Sequence, residues 1–164
     1  MSELRSLKDL LVEQLQDLYS AENQIVEALP KMEEKAGHNI LKTAFSEHRG
    51  ETRAQIERLE RVGNLLDTDL NGETCQAIKG IIKEAEHFMS EDANADVMDA
   101  GLVANAQRVE HYEIAGYGSV ITYAERLGLE DVAEILKETL EEEKNTDHKL
   151  TQLAVETINE EALA

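Results

Sequence analysis

Hydrophobic residues recur along most of this chain at steps of three and four, the spacing that gathers them on one side of an α-helix, rather than in the alternation of a half-buried strand. The first run begins near Ser6, whose hydroxyl is placed to cap the turn containing Asp9, and carries Leu11, Leu15, Leu18, Ile25 and Leu29 on one side. Pro30 lies inside this run and predicts a kink or thinned hydrogen bonding there, and Gly37-His38-Asn39 predicts its end. A second run follows Leu41, Ala44, Phe45, Gln55, Ile56, Leu59 and Val62 to a stop at Gly63-Asn64. GNLLDTDLNG then predicts a loop, ETCQAIKGIIKEAEHFM a short helix, and SEDANAD another polar break. The third long helix is predicted from about Asp96 to Leu127 through Leu102, Val103, Ala106, Tyr117, Val120, Ile121 and Ala124, with Gly128 as its stop. The fourth is predicted from about Glu130 to Ile158 through Val132, Ile135, Leu136, Leu140, Leu150, Leu153 and Ala154, leaving a frayed acidic end at EEALA.

Two pairs of long helices, each joined by a short turn and separated by roughly thirty residues, predict an all-α four-helix bundle with one long crossover that carries a short fifth helix. The short turns make each pair antiparallel. A crossover helix of about 17 residues, rising about 1.5 Å per residue, covers much of the return along the bundle. At 164 residues with 41% hydrophobic content, the expectation is a single domain over residues 1–164 with a real core.

Composition narrows the partners. The 35 Asp and Glu against 16 Lys and Arg give a formal charge of −19, which is repelled by phosphate backbones and anionic lipid. Nucleic acid and membrane binding are therefore not expected, while cations and basic partners remain open. The apolar runs are short, and MSELRSLKDL lacks the apolar stretch of a signal peptide. Cys75, the single cysteine, can form neither an internal disulfide nor a cysteine-based metal site, so the expected setting is the reducing cytoplasm.

The chemistry lies in what interrupts the apolar stripes. Steps 15, 18, 22, 25 and 29 place Glu22 inward on the first helix, and steps 41, 44, 48, 51, 55 and 59 place His48 and Glu51 inward on the second. Steps 103, 106, 110, 113, 117, 120 and 124 bring Glu110 and Glu113 onto the third, and steps 136, 140, 143, 147, 150 and 154 bring Glu143 and Asp147 onto the fourth. Depth agrees as well: Glu113 and Glu143 each stand 15 residues from Gly128, and Glu22 and Glu51 stand 15 and 14 from Gly37. At about 1.5 Å per residue, both pairs lie roughly 20 Å from their turns.

Carboxylates gathered in a low-dielectric core repel one another and each loses several kcal/mol of hydration, and a cation is the simplest remedy. Six carboxylates and one imidazole form a hard, oxygen-rich set suited to iron or manganese, and that many ligands fits two ions better than one. Asp147 has a shorter arm that reaches an outer position, and Glu142 competes with Glu143 if the helix is rotated. His38, His87, His111 and His148 fall off these lines, which predicts exposure. Tyr19 and Tyr117, one turn from Glu22 and Glu113, are either core-filling aromatics with satisfied hydroxyls or hydrogen-bond partners of the ligands.

The stretches DLYSAENQI at 17–25, AFSEHRGET at 44–52, VEHYEIAGY at 109–117 and LEEEKNTDHKL at 140–150 together resemble the bacterial YciE/YciF stress-protein family, a ferritin-like group related to rubrerythrin. The resemblance implies a ferritin-like bundle, a homodimer, and a dinuclear iron centre lined by Glu22, His48, Glu51, Glu110, Glu113 and Glu143 with Asp147 beside them. Two departures from the usual ferritin pattern stand out. The second helix reads His48-x-x-Glu51, the reverse of Glu-x-x-His, and the fourth reads Glu143-x-x-x-Asp147 without an inward His. No Cys-x-x-Cys pair is present, so a reductive cycle requires an external electron donor. The expected function is a di-iron or di-manganese protein of the stress response that reacts with peroxide or oxygen. The alternative is a non-catalytic bundle that sequesters metal or uses it structurally, with storage in a ferritin-type shell a third.

Overall fold

A computed structural model describes residues 4–72 and 74–163. Four long helices, α1 (Leu7–Lys35), α2 (Asn39–Leu65), α4 (Ala95–Arg126) and α5 (Glu130–Leu153), form the bundle, and the short α3 (Gln76–Met89) lies in the crossover between α2 and α4. The two sequential pairs, α1 with α2 and α4 with α5, make the most extensive contacts, and α3 lies against α1 and α4. This is the ferritin-like arrangement expected for two hairpins joined by one long connection.

Local chemistry sets most of the boundaries. Ser6 Oγ accepts from Asp9 N at 3.1 Å while Asp9 Oδ2 accepts from Arg5 N at 3.0 Å, a reciprocal cap that opens α1. The helix continues through Pro30 to Lys35. The turn into α2 is anchored from a distance: buried Asp99 of α4 accepts from Gly37 N at 2.7 Å and from His38 N at 2.8 Å. At the far end, Gly128 has φ +70°, with Gly128 N donating to Glu125 O and Leu129 N to Ala124 O, the pairing that closes a helix on a left-handed residue.

Three boundaries differ from the pattern reading. Gly63 does not stop α2; the left-handed residue is Asp67 (φ 50°), with Asp67 N bonded to Asn64 O and Thr68 N to Gly63 O. Gly63 instead allows a close approach, because a Cβ there would stand 3.0 Å from the Thr68 carbonyl and 3.1 Å from the Leu70 side chain. The fourth long helix ends its α-helical part at Leu153, and a π-helical turn over Ala154–Ile158 leads into α6 (Asn159–Glu161). Both Ala154 and Ile158 are buried, so this wider turn keeps the apolar face on the core and the acidic end stays helical to Glu161. The connecting helix starts at Gln76, with Cys75 as its cap, and Glu73, where the pattern placed its beginning, lies outside the described residues, as does Ala164.

The core is divided. One apolar cluster, including Ile25, Leu29, Leu41, Phe45, Met98 and Leu102, fills the end near the Gly37 turn and reaches under α3. A second, including Leu15, Leu18, Leu59, Tyr117, Val120 and Leu136, fills the end near Gly128. Between them lies a buried polar layer containing Glu22, His48, Thr52, Gln55, Glu110, Glu113, Thr139 and Glu143.

Candidate metal centre

Each bundle helix changes from one apolar cluster to the other across this layer. On α1, Glu22 separates Leu18 from Ile25; on α2, His48 follows Phe45; on α4, Glu110 and Glu113 separate Val109 from Tyr117; on α5, Glu143 lies between Leu136 and Leu150. Helical spacing turns each polar side chain in the direction of its apolar neighbours, so all of them meet at mid-bundle. His48, Glu110, Glu113 and Glu143 each bring one ligand-type atom to within 4.8 Å of the others, and all four are buried.

His48 Nε2 stands 2.9 Å from Glu110 Oε1, and Nδ1 stands 3.4 Å from Glu51 Oε2. Glu51 Oε2 also accepts from Thr146 Oγ1 at 3.2 Å, which ties α2 to α5. Tyr117 donates its hydroxyl to Glu22 Oε1 at 2.5 Å. The remaining oxygens are bare. Glu22 Oε2, Glu110 Oε2 and both oxygens of Glu113 and of Glu143 are buried without a hydrogen-bond partner. Glu113 lies within hydrogen-bonding reach of Glu22, and Glu143 of Glu110, but two carboxylates bond only when one carries a proton.

The electrostatics divide the site in two. Burial, reinforced by the charges of Glu143, Glu22 and Glu110, holds the Glu113 carboxyl well above the usual carboxylate range. Burial and Glu110 do the same to Glu143. Burial pushes Glu22 up to about 7, with the Tyr117 hydrogen bond pulling the other way. On the His48 side, burial disfavours charge, but Glu110 and Glu51 outweigh it and raise the imidazole well above its ordinary value. Burial likewise opposes ionisation of Glu110, yet His48 holds that carboxyl below its usual range. An ion pair thus faces two carboxyls whose burial and like-charged neighbours favour the protonated form.

The structure brings Glu22, His48, Glu110, Glu113 and Glu143 to the buried layer. Glu51 lies at its edge, 43% exposed, in contact with His48. Asp147 is drawn elsewhere: its Oδ1 lies 3.1 Å from His111 Nε2 and accepts from Gln107 Nε2 at 3.2 Å. Glu142 lies at the flank of the layer, where it accepts from Gln55 Nε2 at 3.0 Å and takes both nitrogens of the Arg58 fork, at 2.6 and 2.7 Å. The two tyrosines also separate, because Tyr19 donates to Glu60 on the surface while Tyr117 is buried against Glu22. Pattern reading passed over Thr52 and Thr139, which lie on the same inward lines as His48 and Glu143; being small and uncharged, they broke no apolar stripe. A cleft of about 90 Å³ between α2, α4 and α5 reaches His48 and Glu110 from outside, with Glu47, Glu51, Asn145, Thr146 and Lys149 in its walls.

Fold and site together define a ferritin-like bundle whose mid-height layer is a desolvated cluster of acids around one imidazole. The chain belongs to the DUF892 family, a domain of unknown function, whose model matches residues 6–163. It is similar to Protein YciF of Escherichia coli, at 42% identity over 160 residues, covering 97% of this chain and 96% of that protein. The crystal structure of the E. coli stress protein YciF matches with a TM-score of 0.92 at 43% identity, covering 95% of this chain and 99% of that one. YcfI from Rhodopseudomonas palustris, described as a candidate structural protein, matches with a TM-score of 0.89 at 46% identity, covering 91% and 95% of the two chains. A protein from Xanthomonas campestris pv. campestris shares the fold, with a TM-score of 0.77 at 23% identity over 97% of this chain and 100% of that one.

Proposed function

We propose that this chain is a dinuclear metal-carboxylate protein of the stress response, holding two iron or two manganese ions at mid-bundle and reacting with hydrogen peroxide or dioxygen. The observation that carries this reading is the pair Glu113 and Glu143, whose four carboxyl oxygens are all buried without a hydrogen-bond donor. Hard cations match such oxygen donors, and the one imidazole beside them fits iron or manganese better than calcium. Glu22, His48, Glu110, Glu113 and Glu143 are the holding residues, with Glu51 at the rim and Asp147 beyond them in its pairing with His111.

Bound ferrous or manganous ions would supply the electrons that reduce the oxidant. The rest of the work belongs to the side chains. Glu51, 3.4 Å from His48 Nδ1, would accept that N–H and so leave Nε2, once it has lost its proton, to face an ion, the role an outer carboxylate plays towards a metal-bound imidazole. Tyr117 fixes the orientation of Glu22 through its hydroxyl. Glu113 and Glu143, held towards their protonated forms, would give up protons to ligate a cation, so binding would release protons and weaken in acid. The apolar clusters above and below exclude bulk water from the layer. The chain's one cysteine, Cys75, makes no Cys-x-x-Cys electron carrier, so reduction after turnover would draw on a separate donor.

The test is anaerobic purification, loading with ferrous ion, metal analysis and stopped-flow mixing with peroxide or oxygen. About two ions per chain with rapid oxidation supports this reading. The description of the R. palustris relative favours a second one, in which the layer stiffens a structural bundle, and bound metal without turnover would point there.

A further inference from the structure

A second cavity, of about 20 Å³, reaches His48 and Glu110 from the opposite side, between α1, α3 and α4. Its aliphatic walls are Ile25, Ala28 and Met32 of α1, Ile82 and Ala85 of α3, and Val109 of α4, whereas the cleft near Glu51 mixes Glu47, Asn145 and Lys149 with Phe45 and Leu150 and is the more polar of the two. Asn105 also borders it, but its amide is already used, donating to Gly101 O at 2.9 Å and accepting from Arg108 Nη1 at 2.9 Å. A water molecule needs two to four polar partners, and along its aliphatic walls this cavity supplies none, the polar groups at its inner end being His48 and Glu110. At its outer edge Lys31 Nζ pairs with Glu86 Oε1 at 2.5 Å, a strap from α1 to α3. At its inner edge Glu110 Oε2 is buried and has no partner.

We infer that the site has two separate approaches, and that the aliphatic cavity binds a small uncharged apolar molecule of dioxygen's size while cations and peroxide use the polar cleft. An ion entering the aliphatic side would give up most of its hydration between the Lys31–Glu86 pair at the outer edge and Glu110 at the inner one. On the other side, the Glu51 carboxylate, held by Thr146, stands at the mouth beside the Glu47–Lys149 ion pair, and these charged and polar groups with Asn145 can replace part of the hydration of an arriving ion or of peroxide. The choice of dioxygen as occupant rests on the proposed metal reading; the existence of an aliphatic binding cavity does not.

The experiment therefore begins with the metal-free protein. Crystals pressurised with xenon should show the gas between Met32, Ile82 and Ala85, and the peak should vanish in both Ala85→Leu and Ala28→Leu, whose folding is checked by circular dichroism. Because Ala28 is only half-buried, that variant tolerates the larger side chain if Ala85→Leu does not fold. Absence of xenon from the wild-type cavity, or undiminished xenon in the variants, overturns the proposal. In the iron-loaded protein the variants should react with dioxygen about tenfold more slowly and with peroxide unchanged, and equal slowing of both overturns the two-approach division. If no iron binds at all, the metal reading falls while the xenon result still decides the cavity.

Discussion

Glu142 and Glu143 are neighbours on α5, and the protein treats them in opposite ways. Glu142 receives both nitrogens of Arg58, an amide hydrogen bond from Gln55 at 3.0 Å, and a companion ion pair between Arg58 and Glu138 at 2.8 Å. Glu143, completely buried, receives no donor to either oxygen. The first cluster is a hydrogen-bonded ion network in which one guanidinium holds Glu142 in planar, two-pronged geometry and also pairs with Glu138. The second is unfinished. A chain that supplies an arginine for one acid and none for the next leaves room for a cation from outside.

The largest way to break this contrast is to remove an unfinished acid. Glu110→Ala or Glu113→Ala should weaken ferrous or manganous binding by more than about 100-fold, beyond the 10–100-fold typical of losing an outer partner. Isothermal titration under anaerobic conditions reads this directly, and unchanged affinity would return the layer to a purely structural role.

The next effect concerns the protein without metal. Glu22, Glu113 and Glu143 have folded-state values above the ordinary 4.5, so their protons stabilise the fold fully below that value and the benefit is lost as pH rises through about 7, the value for Glu22, and beyond. His48 acts in the same direction, its contribution present below 6.5 and lost above its raised value. Glu51 and Glu110, held below 4.5, contribute in the opposite sense, and their share disappears only in stronger acid. The melting temperature of the metal-free protein should therefore fall from mildly acidic to alkaline pH. Glu113→Met should remove part of that slope and raise metal-free stability by about 1–4 kcal/mol at about pH 8. A flat pH profile in the wild type would contradict the electrostatic picture.

Smaller effects sharpen the other half of the comparison. Arg58→Met leaves Glu142 uncompensated but within reach of water, at a cost of about 1–2 kcal/mol in denaturant unfolding, with metal affinity unaltered. Tyr117→Phe removes one hydrogen bond from Glu22 and should cost about 1 kcal/mol of stability in the metal-loaded protein. If Arg58→Met also abolished metal binding, the two clusters would be one.

Much of this was legible from spacing because helices carry their own ruler. Leu15, Leu18, Ile25 and Leu29 all reach the core, and Glu22, on the same line, is as buried as they are. The edges of the stripes were not legible. A residue turns about 100° per position, so Asp147 lies about 40° beyond Glu143 and Glu51 about 60° short of His48, enough to bring Asp147 to His111 and Glu51 to the rim. The choice between Glu142 and Glu143 depended on the rotation of α5, which Arg58 across the bundle helps set. Gly63 and Asp67 show the same limit: the pattern predicts a stop at the glycine, whereas the nearby aspartate takes the left-handed turn and the glycine yields to Leu70. The π-turn at Ala154–Ile158 left no mark in a pattern that continued to look apolar at the right places.

The most direct measurement is the metal content of two variants prepared side by side, Glu143→Gln and Glu142→Gln, after identical anaerobic loading and gel filtration. Metal retained by Glu142→Gln at the wild-type level and lost from Glu143→Gln is the predicted result. Equal retention in both, or loss from Glu142→Gln alone, would contradict the assignment of the buried layer as a metal centre.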